Sequence, residues 1–314
     1  MTFGFVFPGQ GSQSVGMLGA LAAAADAGSA VRDTFAEASA VLGYDLWQLV
    51  AQGPAERLNS TECTQPAMLA AGIATWRLWC ARGGGEPQVV SGHSLGEFSA
   101  LVAADALDFG AAVDLVRFRG RVMQEAVPAG TGAMAAILGL DDSQVMEACR
   151  EAGQGGVVEA VNFNSPGQVV IAGSREPVER AIEAAKRLGA KRAVALPVSV
   201  PSHSSLMHSA AQRLGERLGT VAFRAPRIRF VSAVDASVHE DPADLRQLLV
   251  RQLSSPVRWT DTVRALAARG IGALIECGPG KVLTALNRRI ERGLEAKALE
   301  DPESLQAALA AVQA

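Results

Sequence analysis

The sequence predicts an α/β protein in which a small ferredoxin-like module is inserted into a larger α/β domain. Short apolar runs alternate with helical apolar patterns along most of the chain, which is typical of α/β proteins. Between residues 128 and 197 the order changes to β-α-β-β-α-β, the split pattern of ferredoxin-like folds. The length of 314 residues is sufficient for one large domain or for two domains of unequal size.

The first part of the large domain is predicted to begin with a buried strand over 2–7, because this run is apolar and a Pro-Gly pair ends it. Apolar residues at helical spacing over 31–42 predict a helix that Gly43 closes. The next predicted elements are a helix that Pro66 opens, a short strand over 88–90, a helix after residue 96, and a helix that Asp108 caps.

The inserted module is predicted to span residues 128–197, which leaves 1–127 and 198–314 as a discontinuous large domain. Its predicted strands cover 133–140, 157–163, 168–172 and 192–196, and its predicted helices cover 142–152 and 176–188. The segment 197–202, rich in proline and valine, is predicted to be a rigid connection back to the large domain.

The α/β alternation then resumes with elements predicted at 205–218, 228–234, 245–253, 259–269, 273–276 and 281–292. A groove between the two domains is the natural place for a ligand.

Composition and charge exclude several classes of protein. Apolar residues make up 49% and charged residues 19%, which is globular composition. The 29 basic and 32 acidic residues give a net charge of −3, which argues against nucleic acid as a partner. Four dispersed cysteines form no C-x-x-C pair, as in proteins of a reducing compartment. No apolar run is long enough to cross a membrane, so we expect a cytoplasmic protein.

The segment Gly92-His93-Ser94-Leu95-Gly96 is a G-x-S-x-G motif between a predicted strand and a predicted helix. That context is typical of a nucleophile elbow, in which a tight turn exposes the serine hydroxyl. The Leu95 N–H would lie at a helix N-terminus, where it could stabilise an oxyanion. The alternative is a structural turn in a glycine-rich chain.

A nucleophilic serine needs a base, and the chain has four histidines. We favour His203, because it follows the rigid connection at the boundary of the module, where the groove is expected. His93 is adjacent to Ser94 and is expected to be structural or to line the pocket, and His239 is expected to be solvated in a polar loop. His208 could share a metal with His203, but no third ligand is evident, so no metal site is predicted.

Two glycine-rich segments invite a nucleotide-binding interpretation. After the first strand, Ser14 occupies the third fingerprint position, where glycine or alanine is required. After Gly280-Lys281, Val282 stands where a phosphate loop needs serine or threonine. We therefore interpret both segments as turns between a strand and a helix, although the Gln10 N–H could face a site.

Six segments in order resemble the malonyl-CoA:acyl carrier protein transacylases of bacterial type II fatty acid synthesis. They are FPGQGSQ at 7–13, GHSLGE at 92–97, RGRVMQEAVPAGTGAMAAILGL at 119–140, NFNSPGQVVIAG at 162–173, LPVSVPSH at 196–203 and ECGPGKVL at 276–283. The resemblance covers nearly the whole chain. It implies a hydrolase-like large domain and a ferredoxin-like small domain, in agreement with the pattern of elements.

The resemblance also implies a site and a reaction. Ser94 matches the acyl-accepting serine and His203 its general base, while Arg119 matches the arginine that binds the malonyl carboxylate. Gln10 and Leu95 match the oxyanion-hole amides, and Gln252 matches the glutamine whose main-chain carbonyl orients the histidine. The implied substrate is malonyl-CoA and the implied partner is acyl carrier protein, with no metal or redox cofactor. We expect a monomer.

Three other functions use parts of the same pattern. A malonyl acyltransferase of a polyketide pathway shares the chemistry, but Val200-Pro201-Ser202 before His203 resembles the fatty acid enzymes. A serine thioesterase shares the elbow but does not need Arg119. A scaffold that binds the carrier with an inactive site would not need both Ser94 and His203. Because acyl carrier proteins are acidic, Lys191-Arg192 and Arg288-Arg289 are candidate contacts.

Overall fold

The structure is a computed structural model that describes residues 2–24, 28–198 and 200–313. Ser199 of the predicted connection lies outside the described residues, as do Met1 and Ala314 at the ends of the predicted large domain.

The chain forms ten strands and fourteen α-helices within the described residues. The strands are β1 (Phe3–Phe7), β2 (Val89–Gly92), β3 (Gly132–Leu138), β4 (Val158–Ser165), β5 (Gln168–Ser174), β6 (Arg192–Ala195), β7 (Arg229–Val231), β8 (Val238–His239), β9 (Ala273–Glu276) and β10 (Glu295–Ala298). The helices are α1 (Gly19–Ala23), α2 (Gly28–Leu42), α3 (Leu46–Gln52), α4 (Ala55–Leu58), α5 (Thr61–Ala81), α6 (Gly96–Ala103), α7 (Phe109–Glu125), α8 (Asp142–Ala152), α9 (Arg175–Arg187), α10 (His208–Leu218), α11 (Pro242–Gln252), α12 (Trp259–Ala268), α13 (Val282–Ile290) and α14 (Pro302–Gln313).

Two sheets organise these elements. The larger sheet has the order β10-β9-β1-β2-β7-β8, and all of its pairs are parallel except β7 with β8. The smaller sheet has the order β4-β5-β3-β6 and is antiparallel throughout, which is the ferredoxin-like arrangement of a β-α-β-β-α-β unit. The predicted α/β fold class with a hydrolase-like large part and a ferredoxin-like small part is therefore confirmed. The domain boundaries remain a prediction.

The strand β1 lies in the middle of the larger sheet, and its five residues are all buried. A parallel strand covered by helices on both faces reads as a continuous apolar run, which explains the sequence FGFVF. Phe5 packs edge-on against Trp79 of α5 with 5.1 Å between ring centroids. This core fixes the carboxyl end of β1 beside that of β2, where the G-x-S-x-G motif lies.

Several predicted elements differ from the structure. Pro66 does not open a helix, because α5 already begins at Thr61 and contains Pro66 in its interior. The helix loses one main-chain hydrogen bond there, which the burial of its apolar faces offsets. The helix predicted at 205–218 begins with a 3₁₀ turn over Ser205–Met207 and continues as α10. The short elements α1, α3, α4, β8 and β10 and the helix α14 were not predicted.

None of the helices in the described ranges combines the length and apolarity needed to span a bilayer.

The smaller sheet is bonded to the larger unit through β4. The Val257 N–H donates to the Val161 oxygen at 2.8 Å, and the Phe163 N–H donates to the Val257 oxygen at 2.9 Å. The Thr260 hydroxyl at the start of α12 donates to the Phe163 oxygen at 3.1 Å. These bonds hold the end of β4 next to the start of α12.

Gly96→Ala should lower the free energy of unfolding by about 3 kcal/mol or more. A Cβ at this position would lie 2.0 Å from the main-chain oxygen of Phe7, so that β1 or α6 must move. Urea unfolding measures the difference. Gly19→Ala is the matched control, because its Cβ would meet nothing within 4 Å. Equal unfolding midpoints for the two variants would contradict this account of the packing.

Candidate active site

Ser94 lies at the tight turn between β2 and α6 with a φ of 53°, a left-handed backbone conformation that residues other than glycine rarely adopt. The turn is possible because glycines flank it. A Cβ on Gly92 would lie 2.0 Å from the carbonyl carbon of Gly96, and a Cβ on Gly96 would lie 2.0 Å from the Phe7 oxygen. The sequence therefore folds into the nucleophile-elbow geometry, with the Ser94 hydroxyl directed out of the turn.

The Ser94 hydroxyl contacts one histidine. Ser94 Oγ lies 2.7 Å from His203 Nε2, and His203 Nδ1 lies 2.8 Å from the main-chain oxygen of Gln252. Because a carbonyl oxygen can only accept, the Nδ1 atom carries the hydrogen and Nε2 presents its lone pair to the serine hydroxyl. The geometry therefore makes His203 competent to take a proton from Ser94.

His203 is buried and also has a left-handed backbone, with a φ of 66°. Its N–H donates to the Leu253 oxygen at 3.1 Å. Burial and the positive charge of Arg119 lower the pKa of His203 from 6.5 to about 3. The imidazole is therefore neutral, the state that can act as a base, throughout the physiological pH range.

Arg119 projects from α7 to the same point and is 2% exposed. Its Nη1 donates to Gln65 Oε1 at 2.9 Å, its Nη2 donates to Gln252 Oε1 at 3.0 Å, and the same Nη2 lies 3.4 Å from Ser94 Oγ. The Nε atom is buried without a partner, and no acidic side chain in the described ranges forms an ion pair with this guanidinium. Burial lowers the pKa of Arg119 from 12.5 to about 10, so the group remains charged. It is a buried cation beside the serine, held by neutral amide oxygens.

Gln252 is the last residue of α11 and connects the other groups. Its Nε2 donates to the Ser94 main-chain oxygen at 2.9 Å and to Glu97 Oε2 at 2.5 Å. Glu97 is fully buried, and its Oε1 accepts from the Ser232 hydroxyl and the Ala233 N–H, both at 2.7 Å. Burial raises the pKa of Glu97, and these three donors oppose the rise.

The amides of Gln10 and Leu95 lie in two loops that touch. A Cβ on Gly9 would lie 2.5 Å from the His93 oxygen, and the His93 N–H donates to the Phe7 oxygen at 3.0 Å. Leu95 directly precedes α6, so its N–H is among those at a helix start that have no partner within the helix. Within the described residues, neither the Gln10 N–H nor the Leu95 N–H donates to a protein acceptor. Both are free to bind a ligand oxygen.

The other three histidines do not contact the Ser94 hydroxyl. His93 Nε2 lies 2.8 Å from Asn164 Oδ1 at the end of β4, and its ring packs on Trp259. His208 is exposed. The expectation that His239 is solvated is wrong, because its side chain is 11% exposed and lies between the carboxylates of Asp235 and Asp244. Those two carboxylates raise the pKa of His239 against the opposing effect of its burial.

No group of three metal-ligating side chains occurs within the described residues. The glycine-rich loop at 278–280 packs against the first loop of the chain. A Cβ on Gly278 would lie 3.1 Å from the Pro8 ring, and one on Gly280 would lie 3.6 Å from the Ser12 oxygen. The close approach at Gly278 and the positive φ of both residues, 141° and 77°, explain the two glycines without a nucleotide.

Sequence reasoning missed the roles of three polar residues at the site: Gln65, Glu97 and Asn164. Gln65 precedes a long apolar run in α5, and a polar side chain beside such a run was the available signal. Glu97 belongs to the segment GHSLGE, but in the first turn of a helix it resembles an ordinary exposed residue. Asn164 resembles a turn residue before Ser165-Pro166-Gly167. Only the packing shows that all three are buried.

The fold and the site together are typical of an acyltransferase, with a serine hydroxyl in contact with a buried histidine on an α/β scaffold. The sequence model of the acyl transferase domain family matches residues 4–308. The chain belongs to this family, and within it to the malonyl CoA-acyl carrier protein transacylases.

The relatives match over almost their full length. The malonyl CoA-acyl carrier protein transacylase of Salmonella typhimurium is 57% identical, and the match covers 98% of this chain and 98% of that relative. The malonyl CoA-acyl carrier protein transacylase of Bacillus subtilis is 44% identical, and the match covers 97% of this chain and 95% of that relative. Among solved structures, an acyl carrier protein S-malonyltransferase from Vibrio cholerae has a TM-score of 0.94 at 55% identity, covering 98% of this chain and 99% of that one. A malonyl-transacylase in complex with a type II PKS acyl-carrier protein has a TM-score of 0.97 at 54% identity, covering 99% and 100%.

The depressed pKa of His203 predicts an unusual pH dependence. The rate at which Ser94 reacts with a fluorophosphonate should stay level from about pH 8 to about pH 5, because the base is already neutral there. An ordinary histidine would lose activity below about pH 6.5. Arg119→Met should move the loss to higher pH, since removal of the cation raises the pKa of His203, whereas exposed Arg121→Met should not. A wild-type midpoint near pH 6.5 would refute this explanation.

Proposed function

We propose that this protein transfers a malonyl group from malonyl-CoA to the phosphopantetheine thiol of acyl carrier protein through a malonyl-Ser94 intermediate. The observation that carries the proposal is the position of Arg119, a buried cation 3.4 Å from Ser94 Oγ that forms no ion pair with any acidic side chain of the described residues. A group with a free carboxylate close to its thioester carbonyl would place that carboxylate on the guanidinium. The names of the relatives support the same substrate and carrier.

In the first half of the proposed cycle, Ser94 Oγ attacks the thioester carbonyl of malonyl-CoA while His203 Nε2 takes the hydroxyl proton. The tetrahedral oxyanion accepts hydrogen bonds from the Gln10 and Leu95 amides, each worth about 3–4 kcal/mol in comparable sites. The carbon–sulfur bond then breaks, and His203 returns the proton to the leaving thiolate of coenzyme A. The product is the malonyl ester of Ser94.

In the second half, the phosphopantetheine thiol of the carrier enters and gives its proton to His203. The thiolate attacks the ester carbonyl, the same two amides stabilise the oxyanion, and His203 reprotonates Ser94 Oγ. The Gln252 carbonyl keeps the proton of Nδ1 in place during both halves, so that no third acidic residue is needed. This cycle needs no cofactor beyond the substrate, and we place it in the cytoplasm.

The carrier we propose is that of fatty acid synthesis. A polyketide carrier is the second candidate, because one similar solved structure contains a type II PKS acyl-carrier protein. Transfer rates from malonyl-Ser94 to purified carriers of both kinds distinguish them. A thioesterase would instead release free malonate at the same rate whether or not the carrier is present.

Incubation with malonyl-CoA alone should add one malonyl group, and peptide mapping should locate it on Ser94. Ser94→Ala should gain none, and His203→Ala should lose loading by several orders of magnitude. His208→Ala is the matched control, because that histidine is exposed and should leave loading unchanged. Acylation that persists in Ser94→Ala, for example on Cys277, would refute the serine mechanism. Burial raises the pKa of Cys277 well above its ordinary value, so we expect no reaction there.

Arg119→Ala should lower malonyl loading by roughly 30- to 5,000-fold, because removal of one partner of a desolvated charge pair costs about 2–5 kcal/mol. Acetyl loading of Ser94 should be retained, because an acetyl group carries no carboxylate. Arg121→Ala is the control on the same helix, since Arg121 is half exposed and packs on Phe118. The measurement is the rate of intact-mass change with malonyl-CoA and with acetyl-CoA. Equal losses for both substrates would show that Arg119 supports the fold rather than specificity.

A further inference from the structure

The imidazole of His203 is fixed from one side by the end of α11. The Gln252 and Leu253 main-chain oxygens accept from its Nδ1 and from its main-chain N–H, respectively. The backbone at His203 has a φ of 66°, which an L residue keeps only when its surroundings impose it. A second support is therefore needed on the other side of the residue, where the chain enters the 3₁₀ turn at Ser205 and then α10.

That support comes from the smaller sheet. Glu159 on β4 places Oε2 2.7 Å from the main-chain nitrogen of Ser205, two residues after His203. Ser205 is the first residue of the 3₁₀ turn, so its N–H has no partner within the helix. A carboxylate at this end is also favourable for the helix dipole. The Glu159 side chain thus anchors the start of the helix that follows the histidine.

The strand β4 also contacts the segment after α11, the helix whose end binds the other side of His203. Its Val161 and Phe163 main chains bond both ways with Val257, in the segment that follows Gln252. One strand of the smaller sheet therefore binds both the segment that follows His203 and the segment that follows Gln252, whose main-chain oxygen accepts from His203. The bonds at Val257 are between main-chain atoms, so Glu159 is the side chain through which this arrangement can be tested.

We infer that Glu159 is a positioning residue that holds His203 at hydrogen-bond distance from Ser94. The inference rests on the proposed role of His203 as base, and it assigns to the smaller sheet a part in setting the serine–histidine geometry. Without the carboxylate, the Ser205 N–H loses its acceptor and the loop at His203 can relax from its left-handed conformation. Nε2 then moves away from Ser94 Oγ.

The test compares Glu159→Ala and Glu159→Gln by two rates at Ser94: labelling by a fluorophosphonate and loading from malonyl-CoA. Glu159→Ala should lower both rates by the same factor, about 10- to 100-fold, as small displacements of a catalytic group do. The KM for malonyl-CoA should not change. Glu159→Gln should stay within about threefold of wild type, because its amide oxygen can accept the same bond. Glu179→Ala is the control, an exposed carboxylate on α9.

Ser205→Pro removes the donor instead of the acceptor. We expect the site to tolerate proline, because Ser204 has the extended conformation that a residue before proline needs and the first helical position suits proline. This variant should lose as much as Glu159→Ala, and the double variant should lose no more than either. Because Ser205→Pro leaves the smaller sheet unchanged, it decides the question even where Glu159→Ala fails to fold.

Two results would overturn the inference: rates in Glu159→Ala and Ser205→Pro that match those of Glu179→Ala, or losses that add in the double variant. Fluorophosphonate labelling needs only the serine and its base. A wild type that is labelled but not loaded by malonyl-CoA would contradict the proposed function alone and leave the test of Glu159 intact.

Discussion

The site depends on the buried Gln252, which holds three groups at once. Its main-chain oxygen fixes the proton on His203 Nδ1, its Nε2 binds the Ser94 main-chain oxygen, and its Oε1 accepts from Arg119. The amide has only one useful orientation. The Ser94 main-chain oxygen can only accept and the Arg119 guanidinium can only donate, so the amide nitrogen must face Ser94 and Glu97 and the amide oxygen must face Arg119. Glu97 binds the same amide nitrogen through its side chain, and its main-chain N–H donates to the same Ser94 oxygen at 3.0 Å.

Two residues other than glycine have a left-handed backbone conformation at this site: Ser94 and His203. Such conformations cost about 1–3 kcal/mol each and persist only where the surroundings determine them fully. At Ser94 the close approach of β1 to α6, which requires glycine at 96, supplies that constraint. At His203 it comes from hydrogen bonds to residues distant in sequence. The elbow is thus a local structure that a motif can encode, whereas the histidine loop needs α11 and β4 in place.

This difference explains how much the sequence could predict. The fold class, the β-α-β-β-α-β unit and the elbow follow from local patterns, because periodicity and glycine spacing act over short distances. The edge strand β10 and the interior position of Pro66 could not be predicted in this way, since pairing with β9 and burial of α5 override local preference. Burial of Glu97 depends on contacts with Ser232 and Gln252 far along the chain, and no periodicity reveals such contacts.

The neighbouring charge of Arg119 links substrate choice to catalysis in the proposed reaction. Burial and the same cation that would bind a carboxylate together lower the pKa of His203, which makes the free imidazole a weak base. A carboxylate bound to Arg119 neutralises that field inside a buried site, where charges interact strongly, and so raises the basicity of His203. A substrate without the carboxylate leaves the base weak. The malonyl group would therefore promote its own transfer, and the arginine would discriminate through the chemical step as well as through binding.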